Sequence, residues 1–234
     1  MSRECWVVDL DEMDYTTAFD LQTRLVAARV RDEVPDLLLL VEHPPVITLG
    51  RSARQENVLF PATELSAQGV AIHETSRGGD VTYHGPGQLV GYPILRLAGK
   101  GRDIHAYLRS LEGLLIAAVA DFGISAYRIH GLTGVWTEAR SGAGDQKLAA
   151  IGVAIRHWVT LHGFALNVAP NLDHFRLIRP CGITDRGVTS LAKLLGEPPV
   201  KVAVRGSVVS AFVSEFDFTP LWVPLESLLA QLDT

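Results

Sequence analysis

Apolar residues along most of this chain come in short runs stopped by turn-forming or charged residues, and that rhythm constrains the fold more than any other feature. Leu37–Glu42, Val46–Leu49, Val70–Glu74, Leu89–Leu95, Gly134–Thr137, Leu148–Arg156 and Val159–Asn167 each have the length and the boundaries of a strand rather than a helix. Cys5–Leu10 adds an edge strand ahead of a helix expected over Tyr15–Val34. One long segment breaks the rhythm. From Asp103, a good N-cap, to Gly123, a good C-terminal residue, Ile104, Tyr107, Leu108, Leu111, Leu114, Leu115, Ala118, Val119 and Phe122 recur at helical spacing. Beyond residue 181 the pattern predicts only helices, at Ser190–Leu195, Val200–Phe216 and Leu225–Leu232. No repeat or low-complexity tract divides the chain. The expectation is an α/β (α+β) fold: a single domain over residues 1–234, with a mixed β-sheet flanked by helices.

Hydrophobic residues make up 47% and charged residues 20%, enough to bury a sizeable core. Cations number 21 against 26 anions, a net charge of −5 that argues against non-specific nucleic-acid binding. The lysines are only Lys100, Lys147, Lys193 and Lys201, so arginine supplies most of the positive charge. Two cysteines, Cys5 and Cys181, make a poor disulfide framework, and the expected compartment is the cytoplasm, with both as thiols. Acids interrupt the opening residues where a secretory signal would be apolar, so no targeting segment is expected. The longest purely apolar run, Leu114–Ala120, is far short of a membrane span, and no membrane association is expected.

The densest chemistry lies in Arg-Gly-Gly-Asp-Val-Thr-Tyr-His-Gly-Pro-Gly-Gln at 77–88. Gly78, Gly79, Gly85 and Gly87 allow a ligand close to the backbone, and Arg77, Thr82, Tyr83, His84 and Gln88 add hydrogen-bonding groups. Composition alone also allows a plain glycine-rich hairpin. The segment is neither a dinucleotide fingerprint nor a phosphate loop. Cys181 stands between Pro180 and Gly182, a frame that can present a thiol at a tight turn, although a free cysteine is commonly just a small buried hydrophobe. Lys147 stands just before an apolar strand. It is either an exposed strand-end cation or, facing a pocket, a partner for a thiol: as an ammonium it stabilises thiolate, and as a neutral amine it acts as a base. The eight histidines are dispersed, without zinc-site spacing, so no metal is expected.

Five segments in order resemble the lipoyl(octanoyl) transferase family: His-Pro-Pro-Val-Ile-Thr-Leu-Gly-Arg at 43–51, the 77–88 segment, Lys-Leu-Ala-Ala-Ile-Gly-Val at 147–153, His-Gly-Phe-Ala-Leu-Asn at 162–167 and Pro-Cys-Gly-Ile at 180–183. Leu148, where isoleucine is expected, and Ala150, where serine is also common, are mild departures. The resemblance implies a domain similar to biotin and lipoate protein ligase catalytic domains, and transfer of an octanoyl group from acyl carrier protein to a lysine of lipoyl domains. The implied acceptors are the lipoyl domains of 2-oxoacid dehydrogenases and the glycine cleavage H protein. It places the nucleophile on Cys181 and its activating lysine on Lys147. Substrate-binding residues fall on Arg77, Gly78, Gly79, Asp80, Val81, Thr82, Tyr83 and His84, on Ala150, Ile151 and Gly152, and on Gly163, Phe164 and Ala165. No cofactor is implied, and a monomer is expected. Because thioester to amide transfer runs downhill, the reaction needs no nucleotide. Two rivals have different requirements: an ATP-dependent ligase of the same fold needs no cysteine nucleophile, and a non-catalytic binder of carrier or lipoyl domains needs neither residue. Acidic partners and a net negative chain together predict a patch of arginines near the pocket, with Arg51, Arg54, Arg77 and Arg179 as candidates.

Overall fold

Strand β2 (Asp36–Glu42) shows why the middle of the chain reads as continuous apolar runs: Leu38 and Leu40 enter one core while Leu37, Leu39 and Val41 enter another. A strand buried on both faces needs no polar side. In the computed structural model, residues 3–97, 103–139, 142, 144–179 and 186–233 are described. The remaining strands are β1 (Arg3–Glu12), β3 (Val46–Leu49), β4 (Ala71–Glu74), β5 (Val81–His84), β6 (Gln88–Ile94), β7 (Tyr127–Ile129), β8 (Leu132–Glu138), β9 (Asp145–Arg156), β10 (Val159–Asn167), β11 (Gly187–Val188) and β12 (Phe218–Trp222). The helices are α1 (Tyr15–Val30), α2 (Ala62–Ala67), α3 (Ile104–Ala120), α4 (Leu191–Leu195), α5 (Lys201–Phe216) and α6 (Leu225–Leu232).

The large sheet runs β12-β1-β2-β6-β10-β9-β8-β7, with β11 added parallel to β9. Strand β1 is parallel to both β12 and β2, and the pairs from β2 to β7 are antiparallel, so the sheet is mixed as expected. Helices α3 and α5 cover one face, where Leu111, Leu115, Val208 and Phe212 meet Leu40, Leu89 and Leu166. Helices α1 and α6 cover the other, where Leu21, Leu25 and Leu228 pack with Leu39, Val90 and Leu161. A second sheet, β4-β3-β5, closes over a small core of Ile47, Leu65, Val81, Tyr83 and Leu177. Asp103 caps α3 as its sequence foretold, accepting from the His105 and Ala106 amides at 2.8 and 3.1 Å. Among the described residues, no helix is long and apolar enough to cross a membrane.

Several expectations change. Helix α1 stops at Val30 rather than Val34, because Arg29 and Arg96 turn to Asp32 and Asp36 in the connection to β2. Helices do not finish the chain alone. After α5, β12 returns to pair with β1, so β1 is an interior strand and Cys5 is fully buried rather than at an edge. Lys147 lies inside β9, which begins at Asp145, and does not precede the strand. The glycine-rich segment is not a hairpin: β5 belongs to the small sheet and β6 to the large one. The link between them turns at Gly87, whose φ is +87° and where an added Cβ would stand 2.3 Å from the Ala169 carbonyl oxygen, so no other residue fits.

Candidate active site

The change of sheet between β5 and β6 opens a cavity of about 410 Å³ between the small sheet and the large one. The small sheet contributes Val81, Thr82 and His84, preceded by Arg77, Gly78, Gly79 and Asp80. The large sheet contributes Gln88, Val90 and Tyr92 from β6, Lys147 and Ala150–Val153 from β9, and His162–Ala165 and Asn167 from β10. Strand β8 pairs with β9 only as far as Ala149. Past that point β9 carries a bond from outside its sheet, the Gly78 amide donating to the Val153 carbonyl at 2.8 Å. Ile104 and Leu108 of α3 and Leu132 and Thr133 of β8 form the rim there. Ala150, Gly152 and Gly163 also line the cavity; the absence of a side chain at Gly152 admits Arg77 and the Gly78 carbonyl, and at Gly163 it admits the Gly91 carbonyl. Lys147 and Gly152 mark the two ends of the cavity, about 17 Å apart at the rise of a strand.

At the Lys147 end the backbone is gripped from two sides. Trp136 on β8 and Val188 on β11 are its cross-strand partners, and the Thr189 amide donates to the Lys147 carbonyl at 3.0 Å. The Lys147 ammonium lies 4.7 Å from the centre of the Trp136 ring. Asn167 donates to the Thr189 carbonyl at 3.0 Å and accepts from Gln88 at 3.0 Å. Gln88 also donates to the Tyr83 carbonyl, so its oxygen is the acceptor for His84, whose Nδ1 carries the hydrogen.

The far end is built around Arg77. Its buried guanidinium donates to the Thr48 carbonyl at 2.6 Å and the Thr48 hydroxyl at 2.8 Å, and to the Gly78 carbonyl at 3.1 Å. Gly50 is required beneath it, since a Cβ there would stand 2.3 Å from the Gly79 carbonyl oxygen and 2.7 Å from the Arg77 Nη1. Three buried histidines surround this end. Burial pushes His84 down to about 3, with His43 and Arg77 adding to the effect. Burial and the Arg77 charge push His162 down to about 3 as well, and burial lowers His43. All three are neutral at physiological pH. His43 donates from Nδ1 to the Met13 carbonyl and accepts the Tyr92 hydroxyl at Nε2, both at 2.7 Å. His162, held at φ +58°, meets Ser76 at 3.1 Å and donates its amide to Gln22 at 2.8 Å.

The structure therefore gathers Lys147 and every substrate-binding candidate around one cavity except Tyr83. Alternation along β5 turns the Tyr83 ring away, into the small core, where its hydroxyl meets His174 at 2.6 Å and burial pushes it up to about 12. Asp80 lines the cavity while its carboxylate holds the loop together, accepting from the Arg54 amide and the Asn57 side chain. Cys181 lies outside the described residues. The expected arginine patch loses Arg77, which is buried against Thr48, and keeps Arg51, Arg54 and Arg179 on the surface. Tyr15, His162 and Trp136 were not singled out from sequence. Neither was Glu112, fully buried on α3, which accepts from the Gly134 amide and pairs with Arg109 and Arg128. A carboxylate in the middle of the apolar face of α3 was a legible sign of a buried partner.

Comparison with known proteins gives a consistent grouping. Residues 14–215 match the lipoyl protein ligase A/B catalytic domain. A protein of Desulforamulus reducens named octanoyltransferase is 46% identical over 92% of this chain and 92% of its own. One of Geobacter metallireducens with the same name is 49% identical over 87% of this chain and 90% of its own. Among solved structures, the bi-partite lipoate protein ligase of Thermoplasma acidophilum superposes with a TM-score of 0.77 at 16% identity, covering 99% of this chain and 91% of its own, which shows a shared fold.

Proposed function

The chain belongs to the lipoyl(octanoyl) transferase family, and from that premise we propose that it moves an octanoyl group from acyl carrier protein to a lysine of a lipoyl domain through a thioester on Cys181. The observation that carries this reading is Lys147, half-buried at one end of a cavity of about 410 Å³ whose lining includes Ala150, Gly152 and Gly163. Such a volume holds an unbranched eight-carbon chain, and its burial is worth about 0.8 kcal/mol per methylene. The described flanks of the Cys181 segment are tied to two different walls: the Arg179 amide donates at 2.8 Å to the carbonyl of Asn57, which also holds Asp80, and Arg186 pairs at 3.0 Å with Asp145, two residues before Lys147.

In the first half-reaction the Cys181 thiolate attacks the carbonyl carbon of the carrier thioester. A carbon–sulfur bond forms to Cys181, the bond to the carrier sulfur breaks, and the carrier leaves as a thiol with a proton delivered by way of Lys147. In the second, the acceptor amine attacks the acyl-enzyme, the amide forms, Cys181 departs as thiolate, and Lys147 takes the amine proton. The acceptors fitted by this chemistry are the lipoyl domains of 2-oxoacid dehydrogenases and the glycine cleavage H protein. The enzyme acts as a cytoplasmic monomer without a cofactor.

Intact-mass analysis after incubation with octanoyl-carrier is the direct test. The expected result is a gain of one octanoyl group, located at Cys181 by peptide mapping and missing in Cys181→Ala. Active enzyme with unchanged mass, or transfer by Cys181→Ala once ATP is added, overturns the proposal, the latter in favour of a ligase.

A further inference from the structure

Trp136 is a large aromatic residue with 1% exposure that stands beside the cavity without lining it. It is the direct cross-strand partner of Lys147, and its indole Nε1 donates to the Leu132 carbonyl at 3.3 Å, which fixes the ring within the β7–β8 hairpin. The ammonium of Lys147 sits 4.7 Å from the ring centre, within the range where the negative face of an indole attracts a cation. A neutral amine gains almost none of that attraction. We propose that Trp136 is a positioning residue of the transfer reaction, its indole face holding Lys147 as an ammonium at the mouth of the cavity. This rests on the reading of Cys181 and Lys147 given above and chooses between the two roles open to the lysine. Lys147 first serves as the cation beside the Cys181 thiolate, and then as proton donor to the departing carrier thiol.

The surrounding charges are compatible with that assignment. From the segment before β11, Arg186 also approaches the Trp136 ring, at 5.7 Å, but it is paired with Asp145 at 3.0 Å. The other oxygen of Asp145 accepts the Tyr127 hydroxyl at 2.6 Å. On β8, Glu138 is exposed at the strand end opposite Asp145. From α3, Glu112 reaches the Gly134 amide and is balanced by Arg109 and Arg128. From β5, β6 and β10, His84, Gln88 and Asn167 present neutral groups.

The test compares the full-length wild type with Trp136→Leu and Trp136→Phe. Two quantities are read: the alkaline limb of the pH profile of kcat/KM, and the pH midpoint for acetylation of Lys147 by acetic anhydride, located by peptide mass. Loss of the indole lowers the pKa of Lys147, so both move to lower pH, by about one unit in Trp136→Leu. Trp136→Phe shifts both the same way by less, and carries the test if the leucine variant does not fold. Unchanged limb and midpoint in a folded variant overturn the inference, even if activity falls uniformly. An octanoyl adduct is measured on the wild type in parallel: its absence in active enzyme overturns the parent reading, while the acetylation midpoint still reports on Trp136.

Discussion

At the Lys147 end of the cavity the charged side chains meet partners of opposite sign, with Asp145 on Arg186 and Glu112 between Arg109 and Arg128, whereas around the Arg77 end three histidines are kept neutral by burial. Both ends sit on the same strands. The difference is pairing: the first end lies where β9 is still held between β8 and β11, and the second lies under the small sheet. Charge survives where a counter-charge or an aromatic face is supplied and is lost where only desolvation acts. A thioester exchange needs a charged end for the proton and thiolate chemistry and an uncharged one for the tail. Arg77 and Asp80 are the exceptions at the far end, and their charges are spent in the wall, Arg77 on Thr48 and the Gly78 carbonyl and Asp80 on the Arg54 amide and the Asn57 side chain.

The contrast can be broken most severely at its charged end. Lys147→Met is expected to lower kcat/KM for octanoyl transfer by about 10³-fold, in the range for a lost proton-transfer group, with an unchanged circular dichroism spectrum. A loss under tenfold would leave the two ends chemically alike. Next comes the backbone packing that shapes the far end. Gly50→Ala places a Cβ against the Gly79 carbonyl and is expected to cost about 3 kcal/mol in urea denaturation, as for an overpacked site. A wild-type midpoint would show instead that the loop yields.

The neutral histidines make a pH prediction. Their folded pKa values lie below the unfolded value near 6.5, so the unfolded chain binds more protons and stability falls as pH drops from about 6.5 toward 3. For His84 and His162 the loss between pH 7 and pH 5 is about 2 kcal/mol each. Denaturant midpoints measured across that window are expected to fall less steeply in His162→Gln, and an equal slope would deny the difference between the ends. The smallest effect is expected from Glu112→Gln, which keeps an acceptor for the Gly134 amide but removes the charge facing two half-exposed arginines. A loss of about 1 kcal/mol and a few-fold rise in KM, with little change in kcat, would sharpen the role of the β7–β8 hairpin as rim.

Much of the site was legible because its residues lie close together in sequence. The 77–88 segment is continuous, and its glycines and polar residues mark it as a candidate for the cavity wall, although composition alone allowed a plain hairpin as well. Lys147 was visible as a cation out of place beside an apolar strand. Tyr83 was misplaced because strand alternation, which sends it into the small core, becomes decisive only once β5 is known to be a strand of a separate sheet. Likewise Trp136 reads as an ordinary core aromatic until the register of β8 against β9 sets it opposite Lys147. Strand β12 escaped notice because Phe218–Trp222 contains a proline and is stabilised by pairing with β1 more than two hundred residues away in the chain.

By itself the sequence determined the types of the longer elements, the capped and amphipathic α3, the doubly buried central strands and the ordered motifs that identify the family. These depend on local spacing and on the period of apolar residues, which are properties of neighbours in the chain. Only the tertiary structure decided which end of the cavity keeps its charge. Whether a histidine is neutral, an arginine is spent on a carbonyl or a lysine lies on an indole depends on burial and on partners far apart in sequence, and both exist only once the two sheets have closed on each other.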